Sequence, residues 1–250
     1  MDAPLEKRLD ELAQRAARSG RACFTRFLEP NEAQLAQAAA NRAGARLALW
    51  GGYDDAERRV AAFLGPYDPE PEDWPVLALR LRWNARFASP GHRDLLGAVM
   101  GLGIDRDTTG DIAMGEYKGG PCAYLFALEE VAGYIAASLE GAGRASLKVE
   151  VAEETPELLP PEGVEMRLTV QQERLDAVVA AACRLSRAEA QRLVNGGLVK
   201  LNHEVNLHTD AKLSEGDVLS VRGYGRVRLV EFQGESRRGR QVVQVFRYGK

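Results

Sequence analysis

The alternation of apolar and polar positions divides the chain into short elements. Leu5, Leu9, Leu12, Ala13 and Ala16 recur at helical spacing, which predicts an amphipathic helix over residues 4–19. Thr25 to Pro30 reads as a break, and Glu32 to Arg42 as a second, alanine-rich helix. Residues 45–50 alternate and stop at Gly51-Gly52, so they read as a strand. Asp54 to Leu64 reads as a third helix, with Asp54 and Asp55 near its start, where carboxylates suit the helix dipole. Tyr67 to Pro75, rich in proline and acid, reads as a linker.

A second series follows. Leu77, Leu79, Leu81 and Trp83 alternate with Arg80 and Arg82, the mark of a strand with one buried face. His92 to Leu102 is a helix opened by Ser89 as N-cap with Pro90 in the first turn. Asp111–Met114 and Cys122–Ala127 are strands around a glycine turn, Glu129–Leu139 a helix, and Leu147, Val149 and Val151 a last strand. The order β-α-β-β-α-β is the ferredoxin-like arrangement, shared by RNA-recognition motifs and by many unrelated domains. Glu153 to Glu165 is an acidic, proline-containing second linker.

The pattern after this linker is the most informative. Arg174 to Cys183 buries a stripe of Leu175, Val178, Val179 and Ala182. Ser186-Arg187-Ala188-Glu189 is a capping box that starts another helix, ended by Gly196 and Gly197. Spacing puts Arg184, Arg187 and Gln191 on one face, with Arg192 beside them. In the strand Leu198–Leu201, Lys200 points opposite to Val199 and Leu201. Asn202-His203 forms a tight turn, since both residues tolerate positive φ. Glu215-Gly216-Asp217 is another turn, and Arg222-Gly223-Tyr224-Gly225-Arg226 places two arginines and an aromatic on glycine-rich backbone.

Charge sharpens this. The chain carries a net charge of −3, but residues 165–250 hold 15 Lys and Arg against 10 Asp and Glu, and the rest holds 18 against 26. A basic C-terminal part on an acidic body suggests a local polyanion site. Arginine pairs bidentately with phosphate, and tyrosine stacks on bases, so RNA is the expected ligand; a plain solvated basic surface has the same composition. Cys23, Cys122 and Cys183 are widely spaced and odd in number, as expected of buried thiols in a reducing cytoplasm rather than a disulfide framework. No apolar run reaches the ~18–20 residues of a membrane span, and residues 1–20 contain no signal-peptide core.

Catalytic patterns are sparse. His92-Arg93-Asp94-Leu95 imitates a kinase catalytic loop, but Val99 stands where that loop needs Asn, and no Gly-rich nucleotide loop precedes it. At a helix N-terminus His92 and Arg93 suit a secondary phosphate contact, or merely cap the helix. His203 and His208 lack the partners of a metal site. No catalytic residue, metal or cofactor is expected.

Arg174-Leu175-Asp176, Ser186-Arg187, Gly197-x-Val199-x-Leu201-Asn202, Glu215-Gly216-Asp217 and Val221-Arg222-Gly223 resemble, in order and spacing, the S4 RNA-binding domain. His203 departs from it, since glycine often follows that Asn. Phe27-Leu28-x-Pro30, Gly51-Gly52-Tyr53, Gly91 to Gly97, Gly101-Leu102-Gly103-Ile104 and Gly110-Asp111-Ile112 extend the resemblance, over nearly the whole chain, to the YlmH family of bacterial S4-domain proteins. The resemblance implies an α+β protein in three parts: a mostly helical part over residues 1–70, a ferredoxin-like middle part over 75–153, and an S4 domain with a C-terminal hairpin over 165–250. It implies a cytoplasmic monomer that binds ribosomal RNA of the large subunit and tRNA, and assists quality control on ribosomes holding obstructed peptidyl-tRNA. Its RNA face would comprise Arg174, Arg184, Arg187, Gln191, Arg192, Lys200, Asn202, Lys212, Arg222, Tyr224, Arg226 and Arg228. Arg237-Arg238-Gly239-Arg240 looks like a basic hairpin tip or a solvated loop. Two other readings are an RNA-modifying enzyme docked by its S4 domain, as in some pseudouridine synthases, and a cell-division interaction protein.

Overall fold

The computed structural model describes residues 3–154, 156–236 and 239–249, which form two compact units divided at Pro160. Arg237 and Arg238 of the basic tip lie outside the described residues. Among the described residues no helix is long and apolar enough to cross a membrane.

The first unit opens with α1 (Ala3–Ser19), β1 (Cys23–Leu28), α2 (Pro30–Ala43), β2 (Arg46–Trp50) and β3 (Arg59–Leu64). Two expectations fail here. The supposed break after residue 25 belongs to strand β1, and the supposed third helix is a loop followed by β3. The reason is the position of β3: it is the central strand of an antiparallel sheet ordered β1-β3-β2. A strand buried on both faces shows no alternation, and the run Val60-Ala61-Ala62-Phe63-Leu64, fully buried, cannot be told from a helix by its period. Helices α1 and α2 pack on one face of this sheet through Leu9, Ala13, Ala16, Ala36, Ala39 and Phe63.

The unit continues with β4 (Val76–Arg82), α3 (His92–Met100), β5 (Thr109–Tyr117), β6 (Gly120–Leu128), α4 (Glu129–Ser138), a minimal hairpin of β7 (Gly141–Ala142) and β8 (Ala145–Ser146), and β9 (Lys148–Val151). The sheet order β5-β6-β4-β9, antiparallel throughout, is the ferredoxin-like topology that the element order predicts. Alternation sends Leu79, Leu81, Ala123 and Leu125 towards α3 and α4. The cap of α3 is Gly91, not Ser89: the Gly91 N–H donates to the Asp94 carboxylate at 3.0 Å, and Pro90 precedes the cap.

The other face of this sheet is covered. Tyr124 and Phe126 are buried there with Phe27 and Val60 of the N-terminal strands. Tyr53 stacks on Phe126 with ring centroids 4.9 Å apart. A Cβ on Gly52 would lie 2.1 Å from the Phe126 ring, so only glycine admits this contact. Burial of each such aromatic contributes about 1.5–3 kcal/mol. A polar seam runs beside it: the Asp111 carboxylate accepts from the Tyr53 hydroxyl at 3.0 Å and from the Glu57 N–H at 2.7 Å. The acidic linker contributes too, because the Glu116 N–H donates to the Glu157 carbonyl at 3.1 Å and the Leu159 N–H to the Met114 carbonyl at 2.9 Å. Part of the expected linker thus extends the sheet along the edge of β5.

The second unit comprises β10 (Gly163–Val170), α5 (Leu175–Cys183), α6 (Arg187–Asn195), β11 (Val199–Leu201), β12 (Glu204–Val205), β13 (Val218–Val221), β14 (Gly225–Glu235) and β15 (Gln241–Tyr248). Its sheet is ordered β10-β15-β14-β13-β11-β12. Helices α5 and α6 cover one face through Leu175, Val178, Val179, Ala190 and Val194, against Val199, Leu219, Val227, Val243 and Val245.

Candidate nucleic-acid interface

The capping box that starts α6 forms as its sequence dictates. The Glu189 N–H donates to Ser186 Oγ at 3.3 Å, and the Ser186 N–H donates to the Glu189 carboxylate at 2.9 Å. The Ser186 hydroxyl, which donates to the Glu189 carboxylate at 2.7 Å, and then the Ser186 N–H hold that carboxyl below its ordinary range. Two orphan donors of the helix start are thereby satisfied.

The single shared face expected for Arg184, Arg187 and Gln191 does not form. Helical spacing requires one continuous helix, but Arg184 terminates α5 in the left-handed conformation, φ 55°, before α6 begins. Arg184 and Arg192 are exposed, Arg184 at the turn and Arg192 in the last turn of α6.

A carboxylate organises the neighbouring residues instead. Asp176, in the first turn of α5, is completely buried. It accepts from Gln191 Nε2 at 2.8 Å, Arg187 Nε at 3.0 Å and Arg174 Nε at 3.3 Å, while its own N–H donates to the Thr209 carbonyl at 3.0 Å. Burial pushes the Asp176 carboxyl up; the bonds from Gln191 and Arg187 and the charges of Arg187 and Arg174 outweigh that, leaving it below the ordinary carboxylate range. The hub pins α6 to the start of α5. It fixes Arg187 through one nitrogen while 44% of that side chain remains exposed. Lys212, exposed, is held beside this corner by a backbone bridge to Arg174. Position 176 stands in the sequence as an acid beside an apolar stripe, but only packing reveals that three of the chosen residues converge on it.

Other expected residues lie elsewhere. Strand alternation puts Lys200, Arg226 and Arg228 on the face of the sheet turned away from α5 and α6, because their neighbours Val199, Val227 and Leu229 point into the core. Arg222 and Tyr224 occupy the exposed turn between β13 and β14, where Gly223 (φ 86°) and Gly225 (φ 101°) bend the chain. Asn202 ties its turn to the start of β13, since its amide donates to Asp217 Oδ1 at 2.8 Å and accepts from the Val218 N–H at 2.9 Å. Asn202 and His203 both adopt positive φ, 50° and 74°, so the tight turn forms with histidine in place of glycine.

In the first unit His92 and Arg93 are exposed at the start of α3. The Asp94 carboxylate on the cap sets a negative charge where phosphate would bind. The ferredoxin-like sheet cannot stack bases as RNA-recognition motifs do, because Tyr124 and Phe126 on that face are 1% and 0% exposed. Among the described residues no cluster of His, Cys, Asp or Glu could hold a metal ion.

Fold and site together define an S4-domain protein of the RNA-binding class. The S4 domain family model matches residues 173–219, and the family model described as "Putative RNA-binding domain in YlmH" matches residues 69–156. The chain is 38% identical over 217 residues to the ribosome-associated protein quality control protein P2 of Bacillus subtilis (strain 168), covering 86% of this chain and 83% of that protein. It therefore belongs to the YlmH family. A solved structure, the cell division protein ylmH from Streptococcus pneumoniae, is 22% identical with a TM-score of 0.48, covering 60% of this chain and 90% of that one.

Proposed function

We propose that the protein binds folded RNA through the helical side of its S4 unit. It acts in the cytoplasm as a monomer on the large ribosomal subunit, contacting ribosomal RNA and peptidyl-tRNA to assist rescue of stalled translation, and it performs no chemistry of its own. The reading rests on the Asp176 hub, which holds Arg187 in a set orientation with part of its guanidinium side chain exposed; Arg184, Arg192 and Lys212 of the same unit are exposed as well. A cation fixed before binding loses less side-chain freedom when it meets phosphate. The ribosomal setting draws on the name of the Bacillus subtilis relative.

The test is co-sedimentation of the full chain with 50S and 70S particles at low and high salt. Arg184→Glu with Arg192→Glu leaves the Asp176 hub intact, whereas Arg187→Glu would also set a second carboxylate against Asp176. The double variant should release the protein from 50S particles at lower salt. The slope of log K against log salt should fall by about 0.7–0.9 for each phosphate that is no longer neutralised. Unchanged sedimentation would overturn the reading, and altered nucleosides in RNA incubated with the protein would overturn its non-catalytic part.

A further inference from the structure

We propose that the unit-2 sheet carries a second RNA contact, on the face turned away from α5 and α6, and that this contact takes unpaired nucleotides by stacking. It rests on the RNA-binding reading above and extends it to a different surface and a different RNA structure. Residues 225–248, which supply most of it, lie beyond the span matched by the S4 family model.

The strand register assembles the surface. Lys200 pairs with Ser220, Ser220 with Arg226, and Tyr248 with Gly163, in one row across five strands. The Arg226 guanidinium lies 4.2 Å above the centroid of the Tyr248 ring, which closes the row between β14 and β15. In the next row Arg228 pairs with Phe246. Phe246 meets Tyr248 edge to face, with centroids 5.1 Å apart. The small residues Ser220 and Gly163 flank the Arg226–Tyr248 pair. At Gly163 a Cβ would lie 2.4 Å from the Phe246 ring, so the backbone there is kept bare for the aromatic.

The carboxylates of this face are held by amides: Glu165, the cross-strand partner of Phe246, accepts from Gln244 at 2.9 Å, and Glu231 accepts from Gln233 at 3.3 Å. Lys200 and Arg228 are exposed at the aromatic end. The result is two adjoining aromatic rings with a guanidinium plane over one of them, bordered by exposed cations. That combination recognises single-stranded RNA: bases stack on tyrosine, phenylalanine and arginine planes, and cations follow the phosphates. A duplex buries its base faces and offers nothing to stack.

The test compares two fluorescent RNAs with the full-length protein: a blunt stem-loop closed by a compact, internally stacked tetraloop, and the same stem-loop with a short unpaired 3′ extension carrying 2-aminopurine. The extended RNA should bind more tightly by roughly ten- to hundredfold, the worth of one stacked base. Its 2-aminopurine fluorescence should be quenched on binding. Phe246→Leu with Tyr248→Leu should abolish both the preference and the quenching while leaving affinity for the blunt stem-loop unchanged; Tyr248→Phe should retain both. Equal affinity of the wild-type protein for the two RNAs, or binding without quenching, would overturn the second contact even if the double variant fails to fold. Failure of the wild-type protein to bind either RNA would instead remove the RNA-binding reading on which the second contact depends.

Discussion

Asp176→Asn isolates the charge at the centre of the S4 unit while preserving side-chain volume. The wild-type carboxylate accepts bonds from Arg174, Arg187 and Gln191. Hydrogen bonds to a charged group contribute about 1.5–3 kcal/mol and neutral ones about 0.5–1.5. Three hydrogen bonds therefore weaken by about 1 kcal/mol each, and the asparagine amide adds a donor among donors. Relief of burying the charge returns part of this, because ionised groups are costly to desolvate. The net expectation is destabilisation by about 2–3 kcal/mol. For a domain of this size that lowers the melting temperature by about 10–20 °C. Thermal and urea unfolding of the full chain, followed by circular dichroism, measures it. The sign of the pH dependence is fixed by the lowered carboxyl of Asp176. Its stabilisation is present above the unfolded carboxylate value of about 3.9 and lost as pH falls through the folded value. The gap between wild type and variant should therefore be full at neutral pH and shrink in acid. An unchanged melting temperature at neutral pH, or a gap that persists when Asp176 is protonated, would refute the hub as an electrostatic device.

Other consequences concern turns and the aromatic seam. His203→Gly should stabilise the second unit by about 1 kcal/mol in urea melts, since His203 sits at φ 74° where a side chain is strained. Gly52→Ala should destabilise the first unit by about 2–4 kcal/mol, because its Cβ meets the Phe126 ring and φ is +99°; a retained near-ultraviolet aromatic signal and an unshifted melt would contradict this. Tyr53→Phe should cost about 1–2 kcal/mol by removing the hydroxyl that donates to half-buried Asp111. Burial raises the Asp111 carboxyl, so that group favours folding most at low pH and progressively less as pH rises through its folded value. The Tyr53→Phe penalty should therefore be larger at neutral pH than in acid, as a pair of melts at the two pH values would show.

The capping box, the glycine turns, the amphipathic helices and the ferredoxin-like order were legible in the sequence. Each depends on residues close in the chain, whose propensities and periods act locally. Strand β3 was misread because burial on both faces erases the period that separates strand from helix. The face assigned to Arg184, Arg187 and Gln191 was misread because one residue in a left-handed conformation interrupts the helix that their spacing assumes.

Tertiary structure alone decided which cations are held and which are exposed. Arg174, Arg187 and Gln191 reach one buried carboxylate across turns, over sequence separations of up to 15 residues. Lys200 and Arg226 share a row only because antiparallel pairing aligns β11, β13 and β14. The aromatic face of the ferredoxin-like sheet is buried because a distant segment, Phe27 to Val60, supplies the surface that covers it. The sequence by itself determined that this is a basic S4 platform following a ferredoxin-like sheet, since those signals are local. Which surfaces remain open to RNA is a matter of long-range packing, and only the folded chain brings the covering residues and the buried carboxylate into place.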